Sequence, residues 1–306
     1  MSLKIIFMGT PDFAVPILKT LNESNHNILE VYTQPPTKKN RGQKINSSPI
    51  HKYSDKISLR VRNPKNLNTD EELAHLSKLN PDVVVVVAYG KILPTKLLDL
   101  KNILFINIHA SLLPKWRGAA PIHRSIMSLN NETGVSIMKI VPKLDAGPVM
   151  LQSKIKIKKD TNFDDLSKQL SKLGSKMILE SLHLLENNKA KFIPQNEEEA
   201  TYAKKINKEE TKINWKENAR KIIGKINAFS PKPGCWFNHL GSRVKVIKAK
   251  EIKVSGNAGE ILDNNLTIAC SENAIQILEL KKEGKNKTSA KEFLQGNELK
   301  QGFNLL

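Results

Sequence analysis

Two uninterrupted apolar runs constrain the fold of this chain most. Val83 to Ala88 is wholly apolar, and Ile103 to Ile108 contains one polar residue, Asn107. Such runs, without polar alternation, are typical of strands that are covered on both faces, as in parallel sheets. Strand-like segments alternate with helical patterns up to about residue 188. The sequence therefore predicts a Rossmann-like α/β domain, with a doubly wound, mostly parallel sheet and right-handed crossovers.

The pattern changes after this point. Residues 189–207 are polar, rich in Lys and Glu, and show little apolar periodicity, which is typical of a linker. Beyond them, short strand-like segments predict a smaller β-barrel domain, with an OB-like barrel as the leading candidate. These segments are Cys235–Asn238, Arg243–Ala249, Gly259–Leu262, Leu266–Ala269 and Ile275–Leu280. We therefore expect a catalytic domain over 1–188, a linker over 189–207 and a C-terminal OB-like domain over 208–306.

The charge of the chain is strongly unbalanced. Its 306 residues include 49 Lys and Arg against 30 Asp and Glu, a formal net charge of +19. Such an excess favours a polyanionic partner over a merely solvated basic surface. Between Glu30 and Asp55 there is no acidic residue, and basic residues cluster there, at Lys38, Lys39, Arg41 and Lys44. The cluster lies in a predicted loop after a strand, at the edge where open sheets bind ligands, so we expect it to contact phosphates.

A second basic pair lies in the predicted barrel. Arg243 and Lys245 alternate along one strand and would share one of its faces. This pair is a candidate part of a nucleic-acid surface, although half of any barrel must face water in any case.

Several classes of protein are disfavoured by the sequence. Cys235 and Cys270 lack metal-ligand spacing, so we expect neither a structural metal nor a disulfide framework. Gly9 is the only glycine where the dinucleotide signature needs three. No apolar run is long enough to span a bilayer, and the first residues lack the character of a signal peptide. We expect a cytoplasmic protein that works as a monomer and without a membrane partner.

Asn107 and His109 are the candidate reactive side chains. They are two positions apart at the end of a predicted strand, so they point to the same side. Gly118 and its alanine neighbours leave room for a ligand to approach the backbone. Asp145 follows another strand, so we expect it at the same sheet edge, where a carboxylate would fix the tautomer of an imidazole and favour its charged form. The alternatives are a buried histidine satisfied by a backbone carbonyl and a turn-forming aspartate.

The resemblance to a known family rests on several longer matches. They are Met8–Ala14, Val85–Pro94, Asn107–Pro121, Glu132–Met138, Leu144–Gly147, Tyr202–Ile206 and Ile213–Trp215. Over nearly its whole length the chain resembles the methionyl-tRNA formyltransferases, which are 10-formyltetrahydrofolate-dependent enzymes. The resemblance implies transfer of a formyl group from 10-formyltetrahydrofolate, without a metal, to the amino group of methionyl-initiator tRNA. That reaction supports translation initiation.

The same resemblance implies roles for particular residues. Asn107, His109 and Asp145 would be catalytic, and the folate donor would be bound by Ser111, Leu112, Leu113, Pro114, Tyr89 and Gly90. The segment from Gln34 to Lys44 would enter the acceptor arm of the tRNA. The family often carries a glycine-rich, arginine-rich version of this segment, whereas lysines precede Arg41 here, and lysine lacks the bidentate fork of arginine.

Two rival functions stay open on the sequence alone. One is another 10-formyltetrahydrofolate enzyme of the same fold, which acts on a sugar nucleotide or hydrolyses the donor. The other is a non-catalytic RNA-binding protein on a degenerate enzyme scaffold. Transfer of labelled formyl groups to each acceptor separates these functions.

Overall fold

The computed structural model describes residues 2–39, 44–297 and 299–306, and its chain forms two compact units. The first unit comprises Met1–Gly118, Thr133–Ile155 and Ser167–Tyr202, and the second comprises Ala119–Glu132, Lys156–Leu166 and Ala203–Leu306. The domain boundaries expected at residues 188 and 208 stay predictions, because a compact unit need not coincide with a sequence domain.

The strands and helices have the following bounds. The strands are β1 (Lys4–Gly9), β2 (Asn27–Tyr32), β3 (Thr37–Lys39), β4 (Lys44–Asn46), β5 (Val61–Arg62), β6 (Val83–Val87), β7 (Leu104–His109), β8 (Glu132–Lys139), β9 (Val149–Lys156), β10 (Cys235–His239), β11 (Ser242–Ile252), β12 (Thr267–Ala269), β13 (Ala274–Lys282) and β14 (Thr288–Ser289). The helices are α1 (Val15–Asn22), α2 (Pro49–Lys56), α3 (Asp70–Leu79), α4 (Thr95–Leu98), α5 (Pro121–Met127), α6 (Phe163–Glu186), α7 (Ala219–Phe229) and α8 (Ala290–Gln295). In the described ranges, none of these helices is both long and apolar enough to cross a membrane.

A seven-stranded sheet, in the order β5-β2-β1-β6-β7-β8-β9, forms the first unit. The strands β5, β2, β1, β6 and β7 are parallel, and β8 runs antiparallel to β7. Every residue of β6 is buried, as expected of an apolar run that is covered on both faces. The doubly wound, mostly parallel sheet predicted from the sequence is therefore confirmed.

The two faces of this sheet are covered by different helices. On one face, Phe105 of β7 belongs to a buried cluster that includes Leu76 of α3 and Leu97 of α4. On the other face, Gly174 of α6 lies against Ile108. Since side chains alternate along a strand, Asn107 and His109 lie on the same face as Phe105.

The segment after β2 differs from the loop that the sequence predicts. Thr37–Lys39 and Lys44–Asn46 pair as the two antiparallel strands β3 and β4. Lysines have low strand propensity, so the composition of this segment does not predict strands. The two strands pair because their backbone groups form hydrogen bonds with each other. Lys38, Lys39 and Lys44 thus lie on the strands of this hairpin, and Arg41 lies outside the described residues.

An antiparallel, five-stranded half-barrel dominates the second unit. Its strand order is β10-β11-β13-β12, and β14 pairs with β13. This sheet confirms the prediction of a smaller, OB-like β domain after the α/β domain. The strand predicted over Gly259–Leu262 is wrong, because that segment makes only isolated bridges, from Glu260 to Asn304 and from Ile261 to Ile268, in the described part of the chain. The two-residue strand β14 is too short to leave a pattern in the sequence.

Candidate active site

The end of β7 positions the two candidate side chains. Asn107 pairs in register with Val86 of β6 and Met138 of β8 and is half-buried. His109, the last residue of β7, is only 6% exposed. Within residues 2–39, 44–297 and 299–306, the Asn107 carboxamide makes no hydrogen bond. Its N–H groups are therefore available to a ligand.

The two ring nitrogens of His109 have different surroundings. Nε2 lies 2.8 Å from the carbonyl oxygen of Trp116. Because a carbonyl oxygen only accepts hydrogen bonds, Nε2 carries the proton of the neutral ring. Nδ1 lies 3.7 Å from Oδ2 of Asp145, which is too long for a direct hydrogen bond. The neutral imidazole therefore keeps its lone pair on Nδ1, beside a carboxylate.

Asp145 reaches this histidine by a route that differs from the one predicted. In β8, Ser136 lies opposite His109 and Lys139 lies opposite Ile106, so the strand ends toward the amino end of β7. The expectation that this strand ends at the carboxyl edge of the sheet is wrong, because β8 is antiparallel. Residues 140–148 turn back instead, and they bring the Asp145 carboxylate to His109.

A backbone hydrogen bond fixes the Asp145 carboxylate. Gly118 donates its N–H to Oδ2 of Asp145 at 2.7 Å. Gly118 has a φ of +111°, a conformation that favours glycine, and both Trp116 (+62°) and Asp145 (+46°) have left-handed backbones. Residues held in such conformations concentrate at functional sites.

The turn from Ser111 to Pro114 is held by side chains that sequence reasoning missed. The Ser136 hydroxyl donates to the Ser111 carbonyl at 2.6 Å and accepts from the Leu113 N–H at 3.0 Å. Gln152 Nε2 donates to the Leu113 carbonyl at 2.7 Å and to the Ser136 hydroxyl at 2.9 Å. The polar residue Ser136, between apolar Val135 and Ile137, is the sequence signal for this network.

The predicted folate residues of this turn divide into two groups. Ser111 and Leu113 are buried, and the Ser111 hydroxyl donates to the Lys115 carbonyl at 2.6 Å. Leu112 and Pro114 are half-buried. Ser111 and Leu113 therefore build the turn, and Leu112 and Pro114 present its partly accessible surface.

Tyr89 and Gly90, the other two predicted folate residues, also differ in their exposure. The Tyr89 side chain is buried in the core, and its carbonyl accepts from the Thr10 hydroxyl at 2.8 Å and from Gln34 Nε2 at 3.0 Å. Burial, and then the charge of Glu72, raise the pKa of Tyr89 to about 12, so its hydroxyl stays protonated near neutral pH. Gly90 is exposed with a φ of +82°, and a Cβ there would lie 2.3 Å from Gln34 Nε2. The exposed group is thus the backbone of Gly90.

A buried guanidinium lies next to the loop of Asp145. Arg117 is 0% exposed and makes a bidentate ion pair with Glu197, through Nη1 at 3.0 Å and Nη2 at 2.9 Å. Glu197 also accepts from Lys143 Nζ at 2.7 Å. The hydrogen bonds from Arg117 and then Lys143 lower the pKa of Glu197 to about 2. Sequence reasoning missed Glu197 because it lies in the stretch interpreted as a linker.

The predicted basic pair of the second unit lies on the outer face of β11. Arg243 and Lys245 alternate with buried Val244 and Val246. The Arg243 guanidinium lies over the Trp236 ring, 4.3 Å from its centroid. Lys245 Nζ donates to the Pro233 carbonyl at 2.8 Å. This face therefore presents a cation stacked on an aromatic ring, the combination that nucleic-acid surfaces use.

The site of the first unit combines three chemical features. They are a buried histidine, an amide donor on the same face of the strand and a carboxylate fixed beside the histidine. Ile92 and Leu144, on loops of the same unit, are 87% and 56% exposed, which is unusual for large apolar side chains. This set suits transfer of an acyl-type group between a partly apolar donor and a nucleophile.

Comparison with known families and proteins agrees with this chemistry. Residues 3–182 match the family model described as formyl transferase, and residues 205–298 match the one described as formyl transferase, C-terminal domain. The methionyl-tRNA formyltransferase of Pelagibacter ubique (strain HTCC1062) is 49% identical over 304 residues, which cover 99% of this chain and 98% of that protein. The methionyl-tRNA formyltransferase of Paramagnetospirillum magneticum (strain ATCC 700264 / AMB-1) is 42% identical and covers 98% and 99%.

Solved structures share the fold at much lower identity. The N-formyltransferase from Helicobacter canadensis, in complex with folinic acid and dTDP-3-aminofucose, has a TM-score of 0.68 at 20% identity, covering 90% of this chain and 99% of that one. HypX from Aquifex aeolicus, in complex with tetrahydrofolic acid, has a TM-score of 0.67 at 18% identity, covering 96% and 47%. These likenesses show the fold. The family-model matches and the relatives of similar length show that this chain belongs to the methionyl-tRNA formyltransferase family.

Proposed function

We propose that this chain transfers a formyl group from 10-formyltetrahydrofolate to the amino group of methionine esterified to initiator tRNA. The observation that carries the proposal is the arrangement at the end of β7. There, Nδ1 of His109 faces the Asp145 carboxylate at 3.7 Å, and Nε2 faces the Trp116 carbonyl at 2.8 Å. The carboxamide of Asn107, which makes no hydrogen bond to any residue that the structure describes, lies on the same face of the strand. The names of relatives that match nearly the whole chain support tRNA as the acceptor.

The residues around this site fit a folate donor. Gly90 exposes its backbone, Leu112 and Pro114 are half-buried, and Ile92 offers an exposed apolar side chain. We infer that these groups hold the flat, partly apolar donor, and that buried Ser111, Leu113 and Tyr89 support them. When bound, the donor supplies a formyl group that is activated by its aryl nitrogen.

His109 is the acid–base group in this proposal. The acceptor amine must be uncharged to attack the formyl carbon, and it loses a proton as the new C–N bond forms. Nδ1 of His109 takes up that proton, because Nε2 is occupied by the Trp116 carbonyl. As the old C–N bond breaks, the same nitrogen returns the proton to the departing nitrogen. Such acid–base help is typically worth about 10² to 10⁴-fold in rate.

Asn107 and Asp145 stabilise the charges that develop during transfer. The carboxamide of Asn107 donates to the formyl oxygen as that oxygen gains negative charge. Loss of one such donor costs about 2.7 to 4 kcal/mol in comparable sites. Asp145, with Oδ2 3.7 Å from Nδ1, stabilises the imidazolium after it has taken the proton.

We further propose that two basic regions bind the phosphate backbone of the tRNA. One is the segment with Lys38, Lys39, Arg41 and Lys44, and the other is the outer face of β11 with Arg243 and Lys245. The formal net charge of +19 and the stacking of Arg243 on Trp236 support this assignment. A monomeric state and a cytoplasmic location, both expected from the sequence, belong to the same proposal.

Parallel reactions with different acceptors test the function. Each reaction contains the protein, labelled 10-formyltetrahydrofolate and one acceptor. The acceptors are methionyl-initiator tRNA, methionyl-elongator tRNA, an amino-sugar nucleotide or water alone. The proposal predicts rapid labelling of the initiator tRNA and slow reaction of the other acceptors. Preferred labelling of the amino sugar, or donor hydrolysis without transfer, would overturn it.

A further inference from the structure

The carboxamide of Gln195 connects a buried arginine to the loop of Asp145. Its Oε1 accepts from Arg117 Nε at 3.0 Å and from Arg117 Nη2 at 2.9 Å. Its Nε2 donates to the Asp145 carbonyl at 2.9 Å and to the Gly147 carbonyl at 2.7 Å. Gln195 lies in a polar segment that has no catalytic motif.

We propose that Gln195 is a positioning residue, which holds the Asp145 carboxylate against His109 and the Gly118 N–H. This inference rests on the proposed function, because it gives Gln195 an effect on formyl transfer through Asp145. Gln195 itself has no role at the reacting atoms.

Only an amide suits this position. Two backbone carbonyls face Nε2, and they require donors, whereas a guanidinium faces Oε1 and requires an acceptor. Glutamate would keep the acceptor for Arg117 but turn a second oxygen toward the carbonyls of Asp145 and Gly147. Methionine would fill a similar volume and make none of these hydrogen bonds.

The arginine that holds Gln195 is itself firmly anchored. Arg117 is fully buried and pairs with Glu197 through two hydrogen bonds, so its fork has one fixed orientation. Lys143, two residues before Asp145, donates to the same Glu197. The loop of Asp145 is therefore held at Lys143, Asp145 and Gly147 by one connected network.

The loop needs this support because Asp145 has a left-handed backbone. A non-glycine residue with a φ of +46° is costly and persists only where its surroundings fix it. The carbonyl of Asp145 is held by Gln195, and its carboxylate is held by the Gly118 N–H at 2.7 Å. Without the hydrogen bond from Gln195, Asp145 is free to relax and to move its carboxylate away from Nδ1.

A double-mutant cycle tests the proposal. The variants Gln195→Met and Gln195→Glu are measured alone and together with Asp145→Asn, in steady-state formylation of methionyl-initiator tRNA. We expect each single Gln195 variant to lower kcat roughly 10- to 100-fold, with little change in KM for either substrate. In the Asp145→Asn background the same substitutions should have almost no further effect, since both changes remove one function.

Two other glutamines serve as comparisons. Gln152→Glu disturbs the Ser111–Pro114 turn and should raise the KM for the donor, with effects that add to those of Asp145→Asn. Gln301→Glu makes the same chemical change at an exposed position of the other unit and should leave kcat and both KM values unchanged.

Amide exchange at Gly118 provides a readout that does not depend on activity. The Gly118 N–H should lose protection in the Gln195 variants, because the carboxylate that accepts from it moves. If these variants fail to fold, as judged by their melting temperatures, Glu197→Gln, at a half-exposed position, takes their place in the test. We then expect a kcat of about a fifth to a half of the wild-type value, with the same loss of Gly118 protection and the same lack of further effect in the Asp145→Asn background.

The possible failures are distinguishable. Additive effects of Gln195 and Asp145 substitutions, or full protection of Gly118 in a slow Gln195 variant, would overturn the positioning role alone. A wild type that formylates no tRNA would overturn the proposed function. An Asp145→Asn variant as active as the wild type would leave that function standing and would remove Asp145 from the mechanism, and with it the positioning role.

Discussion

The carbonyl oxygen of Trp116 lies 2.8 Å from Nε2 of His109 and holds the proton of the neutral ring on that nitrogen. The sequence led us to expect that Asp145 fixes the tautomer. In the structure Asp145 faces the other nitrogen, at 3.7 Å, so the carbonyl sets the tautomer and the carboxylate faces the lone pair. The hydrogen bond from Nε2 to a backbone carbonyl is the contact that the buried-histidine alternative requires, and the catalytic role of His109 stays a proposal. One ring nitrogen is satisfied by the backbone, and the other is the one to which we assign the proton transfer.

Replacement of Asn107 should slow the chemical step. The variant Asn107→Leu removes the amide donor and keeps a side chain of similar size. We expect kcat to fall by about 10² to 10³-fold, since comparable oxyanion donors contribute this much. Single-turnover formylation with saturating donor and tRNA measures the effect. A fall in donor affinity with an unchanged single-turnover rate would assign Asn107 to binding instead.

Neutralisation of the basic segment after β2 should weaken tRNA binding in a salt-dependent way. The triple substitution of Lys38, Lys39 and Arg41 by alanine should reduce the slope of log K against log salt by about 0.7 to 0.9 for each phosphate that the variant no longer neutralises. Binding isotherms at several salt concentrations measure it. The donor KM should not change.

A matched triple substitution controls for net charge. Lys78, Lys96 and Lys101 are exposed lysines elsewhere in the same unit, and their replacement by alanine removes three positive charges as well. An equal change of slope in both triple variants would show that overall charge acts, and that the segment does not bind the tRNA specifically.

Substitution of Arg243 should affect the tRNA more than the donor. Arg243→Ala removes the cation stacked on Trp236, so we expect a several-fold higher KM for methionyl-initiator tRNA and the same donor KM. Lys253→Ala, which removes an exposed charge from the same unit, is the control. Indistinguishable KM values for the two variants would remove Arg243 from the tRNA surface.

Acid should destabilise the protein through His123. Burial, and then the charge of Arg124, lower the pKa of His123 from 6.5 to about 4, and its ring stacks on Phe163 at 4.1 Å. The unfolded state therefore binds more protons between pH 6.5 and 4, so the free energy of unfolding falls as the pH falls through this window.

The variant His123→Phe should flatten this dependence. Denaturant unfolding at several pH values between 6.5 and 4 measures it, and His183→Phe, at an exposed position of α6, is the control. A pH dependence of His123→Phe as steep as that of the wild type would contradict the assignment.

The sequence predicted the layers of the fold well and the connections poorly. The run from Val83 to Val87 leaves no alternative to a strand buried on both faces, and β6 confirms it. The hairpin of β3 and β4 and the two-residue β14 escaped prediction, because their pairing is decided by backbone hydrogen bonds between segments and not by a hydrophobic pattern.

The candidate site shows the same limit. Asn107 and His109 could be placed on one face from the period of a strand alone. The path by which the chain brings Asp145 to His109 could not be predicted, because it depends on the antiparallel direction of β8. Parallel and antiparallel strands leave similar apolar runs in a sequence. Gln195 and Glu197 were invisible for another reason. Their hydrogen bonds with Arg117 join residues that are far apart in the sequence. Gln195 and Glu197 also lie in a segment whose composition is that of a linker.

The most direct test of the account is the single-turnover rate of formyl transfer in His109→Asn, with donor and methionyl-initiator tRNA both saturating. We predict a rate about 10² to 10⁴-fold below that of the wild type, with tRNA affinity unchanged. A variant that transfers the formyl group at the wild-type rate would contradict the central claim that Nδ1 of His109 moves the proton.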